Sequence, residues 1–191
     1  MELIIGAGVA IVTAAIPYYL YKRKFKKSMD LQYFFSRNGC SVKKELFQVI
    51  DQTKETLDIA MFLLTQEEFV SHICQASQRG VKVRLISDRR QSIEPNDKQK
   101  ANIKKLIECG VPVKVNSYDG TMHLKIMISD KQTVTAGSYN WTYSAEEKND
   151  EVILILRNKK LAEEWELIFE QKWKDLKHYS SFNYYVCKKG A

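Results

Sequence analysis

Between residues 42 and 115 short apolar runs alternate with amphipathic segments, and this alternation limits the folds open to the chain more than any other feature. Val42, Leu46, Val49 and Ile50 recur at helical spacing, which predicts a helix over about 42–54. Leu57-Asp-Ile-Ala-Met-Phe62 is too short and too apolar for a surface helix and reads as a buried strand. Thr65 with Glu68 forms a capping-box pattern before a helix carrying Phe69, Ile73 and Ala76, and Gly80 closes it. Val81–Ile86 reads as a strand, residues 97–109 as a helix stopped by Gly110, and Val111–Val115 as a further strand. This order implies an α/β domain with a parallel or mixed central sheet flanked by helices. Two β runs, Leu124–Ser129 and Thr133–Ala136, follow around an Asp130-Lys131 turn; then come a strand over Glu151–Leu156 and an amphipathic helix with Leu161, Trp165, Ile168, Phe169 and Trp173. Residues 179–191 read as a frayed tail.

Chemistry concentrates where the β runs crowd together. His123, Lys125, Asp130, Gly137, Ser138 and Asn140 form the pattern H-x-K-x4-D-x6-G-S-x-N without a gap. Side chains two apart on a strand project to one face, so His123 and Lys125 point the same way. An imidazole is suited to proton transfer or nucleophilic attack near neutrality, and an ammonium can hold a phosphate oxygen. Ser138 and Asn140 add neutral donors, and Glu151 is placed to orient the imidazole as the third member of a triad would. Each residue alone is unremarkable; the shared spacing points to a phosphodiester-handling site. His72 and His178 lie on predicted helices without partners and are read as structural or surface residues.

The 191-residue chain has a formal net charge of +7, which suits an anionic partner, whether nucleic acid or an acidic lipid surface. Leu3 to Leu20 contains no charged residue and is just long enough to cross a membrane as a helix. Lys22, Arg23, Lys24, Lys26 and Lys27 follow it, so an uncleaved single-pass anchor with a cytosol-facing domain is expected. A cleaved signal peptide and a buried helix are the alternatives. The expected organisation is an anchor and basic flank over 1–27, a catalytic domain over 28–178 and a tail over 179–191. Cys40, Cys74, Cys109 and Cys187 show no metal-ligand spacing, which suggests reduced thiols and no metal.

With these residues the chain resembles the phospholipase D superfamily, over about residues 40–176. The short length, the anchor, Met122-His123 and Gly137-Ser-Tyr-Asn-Trp141-Thr142 most resemble the mitochondrial Zucchini-type enzymes, described as cardiolipin hydrolases and as endoribonucleases of piwi-interacting RNA biogenesis. That group carries a Cys/His-rich zinc insertion, whereas only Cys40 lies in the corresponding region, which keeps short bacterial nucleases of the superfamily as the alternative resemblance. The resemblance implies attack on phosphorus by His123, a phosphohistidine intermediate and no cofactor. Lys125, Asp130 and Glu151 would assist, and Ser138 and Asn140 would bind substrate. Because the motif occurs once, it also implies a homodimer that shares one active site. The function expected is a membrane-anchored, metal-independent phosphodiesterase acting on single-stranded RNA or DNA, with RNA in gene silencing foremost. A cardiolipin hydrolase at the mitochondrial outer membrane, acting on anionic lipid, is the alternative.

Overall fold

The computed structural model describes residues 30–39, 41–93 and 97–182. In chain order the elements are β1 (Asp30–Phe35), α1 (Val42–Gln52), β2 (Thr56–Met61), α2 (Glu67–Gln78), β3 (Lys82–Ser87), α3 (Arg89–Ile93) and α4 (Asp97–Glu108). They continue as β4 (Val113–Asn116), β5 (Lys125–Ser129), β6 (Thr133–Gly137), α5 (Tyr143–Glu147), β7 (Val152–Arg157), α6 (Lys159–Lys174) and β8 (Tyr179–Ser181). The eight strands form one sheet in the order β1-β7-β6-β5-β2-β3-β4-β8. β2, β3 and β4 run parallel, while β5 is antiparallel to both β2 and β6, and β6 to β7, so the sheet is mixed as expected.

Both faces of the sheet are covered. On one face Leu57, Ile59 and Met61 of β2 pack with Leu46 and Ile50 of α1, Phe69 and Ile73 of α2, and Ile103 and Leu106 of α4. On the other, Ala60, Ile86 and Ile128 pack with Ala162 and Phe169 of α6. The second face also buries charge. Asp58 and Arg84 lie opposite each other in register, and the guanidinium donates to both Asp58 oxygens at 2.7 and 2.8 Å. Arg84 also pairs with Glu170 at 2.5 Å and lies over the Phe169 and Trp173 rings. Burial opposes its charge, but these hydrogen bonds outweigh that and leave Arg84 more basic than a free arginine.

Several sequence expectations need correction. The Thr65–Glu68 capping box does not form: α2 starts after Gln66, which makes no side-chain cap, because the Thr65 and Gln66 amides both donate to the Trp141 carbonyl. Residues 179–181 are not a loose tail but strand β8, paired antiparallel with β4, and Phe182 is buried in the core. Cys74 and Cys109 are not free thiols. α2 and α4 share one face of the sheet, and the two cysteines meet there as a disulfide with Cα atoms 5.5 Å apart. The apolar run at 3–20, the basic flank, Cys40 and Cys187 lie outside the described residues. Among the described residues no helix is long and apolar enough to cross a membrane.

Asp130 turns β5 into β6. It and Lys131 both have positive φ, 51° and 52°, as the central residues of a type I′ turn closed by the Gln132 amide on the Ser129 carbonyl at 2.9 Å. Its carboxylate accepts the amides of Lys54 (2.9 Å), Glu55 (2.7 Å) and Thr56 (3.0 Å), and so fixes the chain entering β2. Asp130→Ala is expected to cost about 1–3 kcal/mol of stability while leaving kcat per folded molecule unchanged. Denaturant unfolding and turnover measured on one preparation check this.

Candidate active site

Strand direction decides which residues can meet. The carboxyl ends of parallel β2, β3 and β4 share an edge of the sheet with the start of β5, the end of β6 and the start of β7. Met61 stands opposite both Ser87 and Lys125 in register, and Gly137 opposite Ile153. His123, Lys125, Ser138, Asn140 and Glu151 therefore all lie at this edge. Asp130, at the far end of β5, is five residues or roughly 17 Å away from Lys125. Although the motif groups it with Lys125 and Glu151, its place on the turn beyond the strand fits a supporting role, and its carboxylate braces the entry to β2.

Lys125 is only 6 % exposed. Its ammonium donates to the His123 carbonyl at 2.9 Å and sits 4.9 Å from the Phe62 ring centroid. Burial pushes its pKa below that of a free lysine, and the negative charge of Glu151 works against that shift. The His123 side chain lies edge-on to the same Phe62 ring, with centroids 4.7 Å apart. His123 itself is exposed, so its imidazole is open to a ligand.

Glu151 is buried, and both of its oxygens are engaged. One accepts the Ser138 hydroxyl and the other the Asn149 amide at 2.9 Å. The expected Glu151–His123 contact is not among these bonds, because the carboxylate turns toward Ser138 and Asn149. The Ser138 hydroxyl proton is accordingly committed to Glu151 and not free for a substrate. Ser138 and Val152 are further joined by the Ser138 amide to the Val152 carbonyl (3.0 Å) and the Val152 amide to the Ser138 hydroxyl (3.2 Å). This clasp explains Gly137: a Cβ there would lie 2.0 Å from the Val152 carbonyl oxygen.

Asn140 is held by the residues on either side of it. Tyr139 and Trp141 are fully buried, and Trp141 stacks on Phe69 at 4.3 Å. The Tyr139 hydroxyl donates to Glu146, which also accepts the Ser41 hydroxyl at 3.0 Å. Asn140, between these anchors, is half-buried, and its Oδ1 has no hydrogen-bond partner.

Several bracing residues escaped the sequence reading. Ser36, just after β1, exchanges backbone bonds with Glu151: its amide donates to the Glu151 carbonyl at 2.9 Å, and its hydroxyl accepts the Glu151 amide at 2.8 Å. Asp88, 1 % exposed, accepts the amides of Met122 (2.9 Å) and Gln91 (3.1 Å), which ties the chain before His123 to α3. Buried Gln99 donates to the Phe62 carbonyl (3.2 Å) and accepts the Leu64 amide (3.0 Å), which fixes the loop that carries Phe62. All three have partners far along the chain, and no local sequence pattern marks them.

Among the basic residues of β3 and α3, Arg84 is consumed by Asp58 and Glu170, and Lys82 starts β3 at the far edge. Arg89 and Arg90 lie at the site edge, on α3. Lys125 is expected to titrate below the ordinary lysine value, and Glu151→Gln to lower it further by removing the opposing charge. The unfolded chain then binds more protons than the folded one across that window, so stability should rise with pH through it. NMR titration of 13Cε-labelled lysine in both proteins checks the order.

A family model described as "Cardiolipin synthase, PLD-like domain" matches residues 46–173. A "Phospholipase D" from Rickettsia prowazekii is 31% identical over 66% of this chain and 59% of its own length. A "Mitochondrial cardiolipin hydrolase" from Chlamydomonas reinhardtii is 31% identical over 62% of this chain and 51% of its own. The chain thus spans only about half to three-fifths of these relatives. Among solved structures, Nuc, a phospholipase D family member from Salmonella typhimurium, superposes with TM-score 0.73 and 25% identity over 82% of this chain and 99% of that one. NucT from Helicobacter pylori shares the fold, with TM-score 0.70 and 23% identity over 81% of this chain and 100% of that one. With His123, Lys125, Ser138, Asn140 and Glu151 gathered at one edge of a mixed sheet, and with the family model spanning most of that sheet, the chain belongs to the phospholipase D-like family.

Proposed function

We propose that this protein is a phosphodiesterase that cleaves single-stranded nucleic acid, RNA foremost, through a phosphohistidine formed on His123. The observation that carries the reading is an exposed imidazole beside a buried ammonium at one edge of the sheet. His123 attacks phosphorus and forms an N–P bond while the bond to the leaving oxygen breaks. A second histidine gives that oxygen its proton. Water then attacks the phosphohistidine, transfers its proton to the second histidine and releases His123.

Neither other histidine of the chain is suited to be that partner. His72 pairs with Asp51 at 2.7 Å and stacks on Phe47, away from the edge. His178 is bound to Asp175 at 2.7 Å next to β8, on the opposite side of β2, β3 and β4 from β5. The proposal therefore includes a two-fold dimer whose second copy supplies the histidine. Lys125 and Asn140 would hold the non-bridging phosphate oxygens, where fixed charge and dipoles stabilise the transition state. Glu151 favours the charged form of Lys125 and fixes Ser138. The chemistry is assigned to the histidines, with no metal in the proposed reaction.

A lipid reading has its own support. An apolar recess on the α6 face of the sheet, lined by Leu124, Ile126, Trp165, Ile168 and Phe169, would accept an acyl chain. Relatives carry the names phospholipase D and mitochondrial cardiolipin hydrolase. Membrane attachment through residues 3–20, at the mitochondrial outer membrane or a bacterial one, belongs to the same proposal. The Cys74–Cys109 pair bears against a cytosol-facing domain, since disulfides persist in oxidising spaces.

The test is one preparation assayed in EDTA on a single-stranded oligonucleotide and on cardiolipin vesicles. Oligonucleotide cleavage is expected, with His123→Ala lowering it by at least ~10³-fold and the melting temperature unchanged. Hydrolysis of the vesicles alone would transfer the assignment to the lipid reading, and unchanged turnover in His123→Ala would refute the mechanism.

A further inference from the structure

We propose that the cavity between α3 and the end of β4 is a subsite for a second phosphate of a single-stranded nucleic acid whose scissile phosphate lies at His123 and Lys125. This rests on the nuclease reading above and adds to it where the strand runs. The cavity measures ≈ 380 Å³ and is lined by Arg89, Arg90, Asn116, Tyr118 and Asp119, among others. It opens on the same sheet edge as His123. The ends of β4 and β5 are separated by β2 and β3, so the two sites lie roughly 14 Å apart, three spacings of ~4.8 Å. Successive phosphates along a nucleic acid strand can span that interval. The two phosphates of one cardiolipin headgroup are joined by about six single bonds of ~1.5 Å, and so fall short of it.

The charges and the framework fit a phosphate. The Arg89 side chain makes no ion pair or hydrogen bond among the described residues. Arg90 has one long contact, 3.4 Å to the fully exposed Asp119, which an incoming phosphate can replace. An exposed pair of this kind contributes little to stability. The backbone beneath is rigid. Buried Asn116 accepts the Arg89 amide at 2.8 Å and donates to the Gly120 carbonyl at 2.9 Å. Asp88 joins Gln91 and Met122, so one buried carboxylate holds both the arginine-bearing helix and the chain leading to His123. The distance between the subsites is therefore fixed by the fold. Tyr118 adds an aromatic face for a base, braced by Tyr179 and His178 with centroids 5.8 and 6.4 Å away. Burial and a hydrogen bond with Tyr179 push its hydroxyl up to about 12, so it stays a neutral donor.

The experiment compares the full chain with Arg89→Ala/Arg90→Ala on two substrates: a single-stranded 12-mer and bis(p-nitrophenyl) phosphate, which has no second phosphate. The double variant should raise KM for the 12-mer by about 10–100-fold and flatten its log–log salt dependence by about 0.7, the share of one lost phosphate contact on a single strand. Turnover of bis(p-nitrophenyl) phosphate should stay within about two-fold of wild type. Arg89→Lys/Arg90→Lys should recover most of the KM, and Asp119→Asn should lower it by about two-fold. An unchanged KM for the 12-mer overturns the subsite, as does an equal loss on both substrates or an effect confined to cardiolipin vesicles. If wild type cleaves the small diester but no oligonucleotide, the nuclease reading fails first and the subsite with it.

Discussion

Lys125 carries a positive charge into a place nearly closed to water, and its neighbours are arranged around that fact. A buried ammonium is costly unless opposite charge and hydrogen-bond acceptors surround it. Here the His123 carbonyl, the Phe62 ring and the field of Glu151 do so. Glu151 in turn needs donors of its own, which Ser138 and Asn149 provide, while Ser36 pins its backbone. Four separated stretches of chain, around residues 36, 62, 125 and 138–151, are thereby tied into one corner of the sheet. The imidazole of His123 is left out of these bonds and exposed, as a nucleophile has to be.

The topology makes this corner possible. A wholly parallel sheet would place the start of β5 at the edge opposite the ends of β2, β3 and β4. Reversing β5 brings His123 and Lys125 to the carboxyl ends of the parallel strands, where loops are free to vary and where α/β sheets usually bind ligands. The antiparallel β6 and β7 then deliver Ser138, Asn140 and Glu151 to the same edge. The far end of the hairpin is left to Asp130, which secures the entry to β2 instead of touching chemistry. One motif spaced over eighteen residues thus serves two ends of the molecule.

The sequence discloses local features more readily than distant ones. Six of the strands and all the long helices are visible as periodic runs, because each element's own apolar residues face one side. β1 is not, since Leu31, Tyr33 and Phe35 remain exposed and the strand's contribution is the Ser36–Glu151 contact, 115 residues apart. β8 is three residues long and gains its partner only when β4 is in place. The Thr65–Glu68 pattern fails for a similar reason: Trp141, from the other side of the motif, claims the amides that a cap would have used. That most of the motif residues gather at one edge of the sheet is legible from their spacing, but their partners are not. Glu151 was expected against His123 and Ser138 against substrate, whereas the fold joins the two to each other. Asp88 and Gln99 act through backbone groups far along the chain, which no local pattern records.

The account stands on His123 as the atom donor that forms the covalent intermediate. The direct measurement is rapid quenching of the wild-type protein during turnover of an oligonucleotide at alkaline pH, where phosphohistidine survives, followed by peptide mass spectrometry. The account predicts a substrate-derived phosphoryl adduct on the peptide at His123, absent from His123→Ala. Turnover without any adduct at His123, or with the adduct on another residue, would contradict it.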